Sequence, residues 1–263
     1  MALVQVGDLR LNVVERGRGK PLLLVHGYPL DHSMWREQLD DLAGAYRVIA
    51  PDLRGFGASA VTSGVVTMEQ LADDIARLLD ALNVSEPVVF CGLSMGGYVA
   101  WQFALRHRSR LARLILCDTR AAADSPEAAA GRIKTAERVI AEGAAVVADT
   151  LLPKLFAPGT FQHQPQIVED TRQVILTTKP EGIAAALRGM AQRADVSSRL
   201  REIDIPALLV GGELDAISPP VEMRQITSQM PRARFVEIEN AGHMAPLEQP
   251  APVNAAIREF LRG

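Results

Sequence analysis

The sequence predicts an α/β fold: a mostly parallel eight-stranded sheet flanked by helices, with a helical insertion ahead of the last two strands. Three observations carry this. Apolar runs of strand length recur along the chain, helical patterns separate them, and one long stretch from about residue 120 to 195 holds helical patterns with no convincing strand. Strands that alternate with helices need crossover connections, and crossovers make neighbouring strands parallel.

The elements follow in order. Val4 and Val6, then Leu9, Leu11 and Val13, alternate on either side of Gly7-Asp8. This is the period of two half-buried strands joined by a turn, and a turn that short allows an antiparallel pair. Continuous apolar runs follow at Leu22–Val25, Val48–Ala50, Val88–Phe90, Leu114–Cys117, Ala207–Val210 and Phe235–Ile238. Strands buried on both faces read this way. Met68, Leu71, Ala72, Ile75, Leu78, Leu79 and Leu82 fall three and four apart, one face of a helix, and Thr67-x-x-Gln70 opens it as a capping box. Val253, Ala256, Ile257 and Phe260 mark a last helix, with Glu248 and Gln249 expected to cap it near Pro250. The expected organisation is a core domain of residues 1–119 and 196–263 and a helical cap of residues 120–195, the sheet resuming after Ile205-Pro206.

The 263 residues suffice for one large α/β domain with such an insertion. Lys plus Arg is 28 against 31 Asp plus Glu, a net charge of -3, which argues against nucleic-acid and polybasic membrane surfaces. No apolar run reaches membrane-spanning length, and Met1 to Lys20, with Asp8 and Glu15, does not read as a secretory leader. A cytoplasmic protein acting on a small molecule is expected, as a monomer or small homo-oligomer. Cys91 and Cys117 lie in apolar runs and read as buried thiols. No Cys/His cluster has metal-ligand spacing, so no metal is expected. Gly55-Phe56-Gly57-Ala58-Ser59-Ala60 fits a dinucleotide fingerprint, but no helix pattern starts there to receive a pyrophosphate, so no cofactor is expected. Asp52 and Arg54 are expected to fix that turn by charge and hydrogen bonding.

The chemistry centres on Ser94. Pro87 to Cys91 reads as a strand, Gly92-Leu93-Ser94-Met95-Gly96 as a sharp turn, and Gly97 to Ala104 as a helix. G-x-S-x-G in that setting lifts a serine above the sheet edge as a nucleophile. Attack on a carbonyl builds negative charge on oxygen, which two preorganised amides can stabilise. The candidates are the N–H of Met95 and, in the loop His26-Gly27-Tyr28-Pro29, the N–H of Tyr28. The Tyr28 ring either lies near the acyl pocket or packs within its loop. Of the five histidines, His243 follows the last strand and is the candidate base. His26 reads as a buttress of the oxyanion loop, His107 as an exposed helix-end residue, and His32 and His163 have no identifiable partner. Asp215, at the end of the penultimate strand, is the candidate acid that orients His243, with Asp118 and Glu213 as alternatives. Phe156 and Met244 are candidate pocket residues, as are Leu151, Leu155, Leu187 and Met190, which equally fit a cap core.

Together, Leu24 to Pro29, Ala50 to Ser59, Gly92 to Gly97, Gly212 to Asp215 and Ala241 to His243 resemble the α/β-hydrolase superfamily over essentially the whole chain. Within it, the sequence is similar to small bacterial carboxylesterases related to 3-oxoadipate enol-lactonase. Cys117-Asp118-Thr119-Arg120 and Ala216-Ile217-Ser218-Pro219-Pro220 look like a thermophilic member of that group. The resemblance implies a serine hydrolase of short-acyl-chain carboxylic esters. Lactone hydrolysis uses the same residues and is the alternative; perhydrolysis with peroxide and a slow-turnover ligand receptor on the same fold are others. The serine at position 94 separates the chain from dehalogenases and epoxide hydrolases, whose nucleophile is aspartate.

Overall fold

The computed structural model describes residues 1–263. Eight strands form one sheet: β1 (Ala2–Val6), β2 (Leu9–Arg16), β3 (Lys20–Val25), β4 (Tyr46–Pro51), β5 (Val88–Leu93), β6 (Leu111–Cys117), β7 (Ala207–Gly212) and β8 (Ala233–Ile238). Their spatial order is β1-β2-β4-β3-β5-β6-β7-β8. β2 runs antiparallel to β1 and β4, and every other pair is parallel. The predicted sheet is therefore the observed one. β5 and β7 are buried at every position, as their continuous apolar runs require. β8 departs from the expectation: Phe235 and Val236 are only partly buried, because β8 pairs on one side and forms the sheet edge.

The helices before and after β5 are α1 (Arg36–Leu42), α2 (Met68–Ala81) and α3 (Met95–Arg106). α2 buries Met68, Leu71, Ala72, Ile75, Leu78 and Leu79, and each of its larger apolar side chains contributes roughly 1.5–3 kcal/mol. Thr67 Oγ1 accepts from the Gln70 N–H at 3.2 Å, so the serine/threonine half of the capping box forms. Between β6 and β7 run α4 (Pro126–Glu142), α5 (Ala145–Leu155), α6 (Pro158–His163), α7 (Pro165–Thr177) and α8 (Pro180–Ala191). After β7 come α9 (Pro220–Gln229), α10 (Ala245–Glu248) and α11 (Pro250–Arg262). Proline stands at the first turn of α4, α6, α7, α8, α9 and α11, where its missing N–H costs nothing. Gln249 gives α11 no side-chain cap, so the expected capping by Glu248 and Gln249 is not the arrangement found.

Register places the chemistry. Val25 lies beside Gly92, Leu93 beside Cys117, Cys117 beside Val210, and Gly212 beside Ile238. These parallel strands end together, so the loops that follow them start along one rim of the sheet. That rim is where ligands bind in open α/β sheets.

Candidate active site

Ser94 is the pivot between β5 and α3, with φ 53° and ψ −110°. A non-glycine residue in this region stores ~1–3 kcal/mol of strain and persists only where its surroundings enforce it. Here they do. The Ser94 N–H donates to the Cys117 carbonyl at 2.9 Å. The Ser94 carbonyl accepts from Gly97 N–H at 2.9 Å, Tyr98 N–H at 3.2 Å and the Thr119 hydroxyl at 2.8 Å. The flanking glycines let backbones meet: a Cβ on Gly92 would overlap the Gly96 carbonyl, and one on Gly96 would overlap the carbonyl of Val25.

The loop after β3 lies against this turn, since a Cβ on Gly27 would sit 3.4 Å from the Cβ of Ser94. His26 is fully buried; its Nε2 accepts from the Leu53 N–H at 2.9 Å, which leaves Nδ1 to donate to the Gly27 carbonyl at 2.9 Å. Burial lowers its pKa and keeps it neutral in this supporting position. Neither the Tyr28 nor the Met95 N–H is committed to a turn, cap or inter-element hydrogen bond. The Tyr28 ring meets Phe56 edge to face at 6.3 Å, and its hydroxyl is shielded without a partner. Burial pushes that phenol's pKa up, so it stays neutral.

On the far side of the rim, His243 Nδ1 bonds Asp215 Oδ2 at 2.8 Å. Asp215 Oδ1 accepts from the backbone N–H groups of Ile217 at 2.7 Å and Ser218 at 3.0 Å. Burial alone would raise the Asp215 pKa, but His243 and the two amides outweigh it and hold the carboxyl below its usual range. An ionised Asp215 keeps the proton of His243 on Nδ1, which leaves Nε2 as the basic nitrogen. Of the acids weighed from sequence, Glu213 is turned away and accepts from the Asn240 N–H at 3.0 Å. Asp118 stays in the site: it, Asp215 and His243 place atoms within 4.8 Å of one another. Asp215 and His243 are thus joined by a bond, while Ser94 stands on the same rim with its hydroxyl not bonded to the imidazole.

Residues 20–250 match the family described as the alpha/beta hydrolase fold. The chain belongs to the α/β-hydrolase family. The hydrolase is 30% identical to a 3-oxoadipate enol-lactonase of Acinetobacter baylyi over 97% of this chain and 94% of that protein. It is similar to the solved structure of a thermophilic esterase from Thermogutta terrifontis, with 48% identity, a TM-score of 0.97 and coverage of 99% and 97% of the two chains. An enol-lactonase structure from Burkholderia xenovorans aligns over the full length of both chains at 30% identity and a TM-score of 0.93.

In this hydrolase a cavity of about 340 Å³ opens between Tyr28 and the helices after β6, with Leu151, Leu187, Arg132, Thr150 and Lys154 in its wall. Tyr28 lines it; Phe156 and Met244 do not. Phe156 packs edge to face on Phe161 at 6.2 Å, and Met244 is fully buried with its N–H on the Leu155 carbonyl at 3.1 Å.

Sequence reasoning missed the partner of the His243 loop. Glu248 is buried, and its Oε1 accepts from the N–H groups of Gly242 at 2.8 Å and Met244 at 3.3 Å. Its Oε2 accepts from the Ala157 N–H at 2.8 Å and the Thr160 hydroxyl at 2.5 Å. One carboxyl therefore clips the histidine loop to α6. An acidic residue directly after the apolar run Met244 to Leu247 was the available signal. The other histidines are also placed. His32 bonds Asp52 at 2.6 Å, and His107 is partly buried against Asp73 at 2.7 Å rather than exposed. His163 ends α6 and is exposed. Asp52 also accepts from Asn12 at 2.8 Å and the Ala58 N–H at 3.0 Å, and Arg54 makes a buried two-bond pair with Asp74, each 2.8 Å. Both thus anchor the turn that the glycine-rich segment makes, and no helix begins between the end of β4 and Met68.

Proposed function

We propose that the protein is a serine carboxylesterase that hydrolyses small, short-acyl-chain carboxylic esters through an acyl-enzyme intermediate. One observation carries the reading: Ser94 is held in a strained turn at the head of α3, on the rim that also holds the Asp215–His243 bond. His243 Nε2 takes the Ser94 proton as Oγ attacks the ester carbonyl. The Tyr28 and Met95 amides receive the oxyanion, a pair in which each donor is worth roughly 3–4 kcal/mol. His243 then protonates the leaving alcohol, the acyl group stays on Ser94, and a water activated by the same nitrogen releases it. Asp215 fixes the tautomer and stabilises the imidazolium.

In this reading residues 120–195 act as a cap and residues 1–119 and 196–263 as the core. The cavity of about 340 Å³ between Tyr28 and the cap helices falls at the small end of ligand sites, and Tyr28 is the residue of the proposed oxyanion loop that lines it, while Ser94 and His243 do not. The esterase name of the 48% identical structure supports ester cleavage. The enol-lactonase names of two relatives favour a second reading, lactone hydrolysis, because a lactone is an internal ester open to the same attack.

The test is a panel of p-nitrophenyl acetate, propionate and butyrate beside simple lactones, with Ser94→Ala in parallel. The esterase reading expects multiple turnovers on the esters and a loss of about 10⁴-fold or more in kcat for Ser94→Ala. Turnover confined to lactones selects the second reading. A Ser94→Ala protein as active as the wild type refutes both, and release of a single equivalent per chain identifies a receptor.

A further inference from the structure

Asp118 is a second acid in a site whose chemistry, as read above, calls for one. It directly follows β6 with φ 47°, is fully buried, and its Oδ1 accepts from the Gly212 N–H at 2.8 Å. Its Oδ2 is shielded from solvent and receives no donor. Asp215 does the opposite, with three donors on its two oxygens. The two carboxyls and His243 lie within 4.8 Å of one another, and the remaining titratable neighbour is the Cys117 thiol.

A buried carboxylate oxygen with no donor is costly, and two carboxylates this close do not both ionise. The proton belongs on the member with fewer donors. We propose that Asp118 is a neutral carboxylic acid that donates its Oδ2 proton to the Asp215 carboxylate in a hydrogen bond, making it a positioning residue for the acid that orients His243. The inference rests on reading Asp215 as the partner of His243. Burial, followed by the Asp215 charge, pushes the Asp118 pKa well above the usual range, in keeping with this. The donated bond holds the Asp215 oxygens in register with Nδ1 of His243 and keeps Asp215 ionised. The proton stays on Asp118 through the reaction.

Asn can adopt the same left-handed backbone and can both accept from Gly212 and donate to Asp215. Asp118→Asn is therefore expected to keep turnover and leave the acid limb of the kcat/KM profile in place. Asp118→Ala, which donates nothing, is expected to lose about tenfold or more in kcat. Its acid limb should move to higher pH, because an Asp215 without its donor is more basic and stabilises the imidazolium more. Infrared spectra should show a protonated carboxyl band at pH 8 that is missing in Asp118→Asn. Should that variant not fold, Glu248→Gln carries the measurement, since Glu248 is the other buried carboxyl with a raised pKa and a band persisting without it belongs to Asp118. An acid limb that falls to lower pH in Asp118→Asn means an ionised Asp118 and overturns the proposal. So does an Asn variant as impaired as Ala, or the absence of the band. The infrared readout needs no turnover, so it stands apart from the Ser94→Ala test: an active Ser94→Ala protein removes the catalytic reading without moving the band.

Discussion

A serine hydroxyl at neutral pH is a weak nucleophile, and the residues around Ser94 act on its backbone as much as on its side chain. Four hydrogen bonds, with partners in the first turn of α3 and at and just past the end of β6, hold its peptide groups in a conformation that would otherwise relax. Thr119→Val removes one of them while keeping the shape of the side chain. A loss of about 1 kcal/mol is expected, read as a Tm fall of roughly 2–4 °C, with kcat reduced because the Ser94 turn loosens. Asp215 works at the same scale. Asp215→Asn leaves the carbonyl to accept the two amides but offers His243 the wrong tautomer, and kcat should fall by about 10⁴-fold with KM little changed. Steady-state kinetics on a p-nitrophenyl ester measures both numbers. Ser94, Asp215 and His243 are all named by the sequence through motif, spacing and chain order. The role of Glu248 is not, because two of its donors stand at positions 157 and 160, 91 and 88 residues upstream.

At the scale of elements, the histidine loop depends on α6 and α10 being tied by one carboxyl. Glu248→Gln keeps a single accepting oxygen for four donors and turns an amide N–H₂ toward the others. A cost of roughly 2–3 kcal/mol is expected from the groups left unpaired, seen as a lower denaturation midpoint, together with a drop in kcat as the His243 loop loosens. The turn from β5 to α3 has less slack still. Gly96→Ala puts a methyl group where the Val25 carbonyl already lies, so β3 and α3 must separate. Loss of soluble, active protein is the expected result, and a Gly96→Ala enzyme of normal Tm and activity would contradict the packing described. The starts of α2 and α11 were legible because Thr67 and Pro250 act locally, through a short side-chain reach and a missing N–H. The solvent-facing half of β8 was not, since an edge strand and a central strand differ in neighbours rather than in their own apolar content.

Across the whole molecule, Asp52 links the early strands to the candidate site. It binds Asn12 of β2, His32, and the Ala58 N–H of the turn that follows β4. Burial alone would raise its pKa, but the hydrogen bond from His32 and the other favourable groups bring it from an ordinary 3.8 to about 2. The unfolded chain therefore takes up the proton more readily than the folded one. This carboxyl's contribution, of order 2 kcal/mol, is present above about pH 4 and fades as pH falls toward 2. His32 runs the other way: its bond to Asp52 raises its pKa, so its share is complete below 6.5 and is lost as pH rises through the folded value. Denaturant unfolding at a series of pH values should show both slopes, and Asp52→Asn should flatten both. Unchanged slopes in that variant would exclude the pair as their source.

Periodicity, apolar run length and turn chemistry are properties of short stretches of chain. They were enough to specify eight strands, their mostly parallel pairing, the long helical segment before β7 and the sharp turn that presents Ser94. What only the tertiary structure decided is which distant groups meet. His243 bonds Asp215 rather than Glu213, Asp118 is buried beside them with one oxygen unserved, and Glu248 faces inward to hold two loops. Each outcome depends on strand register and on the low dielectric of a buried rim, where an unpaired charge is costly enough to select its partner, and neither quantity can be read from neighbours along the chain.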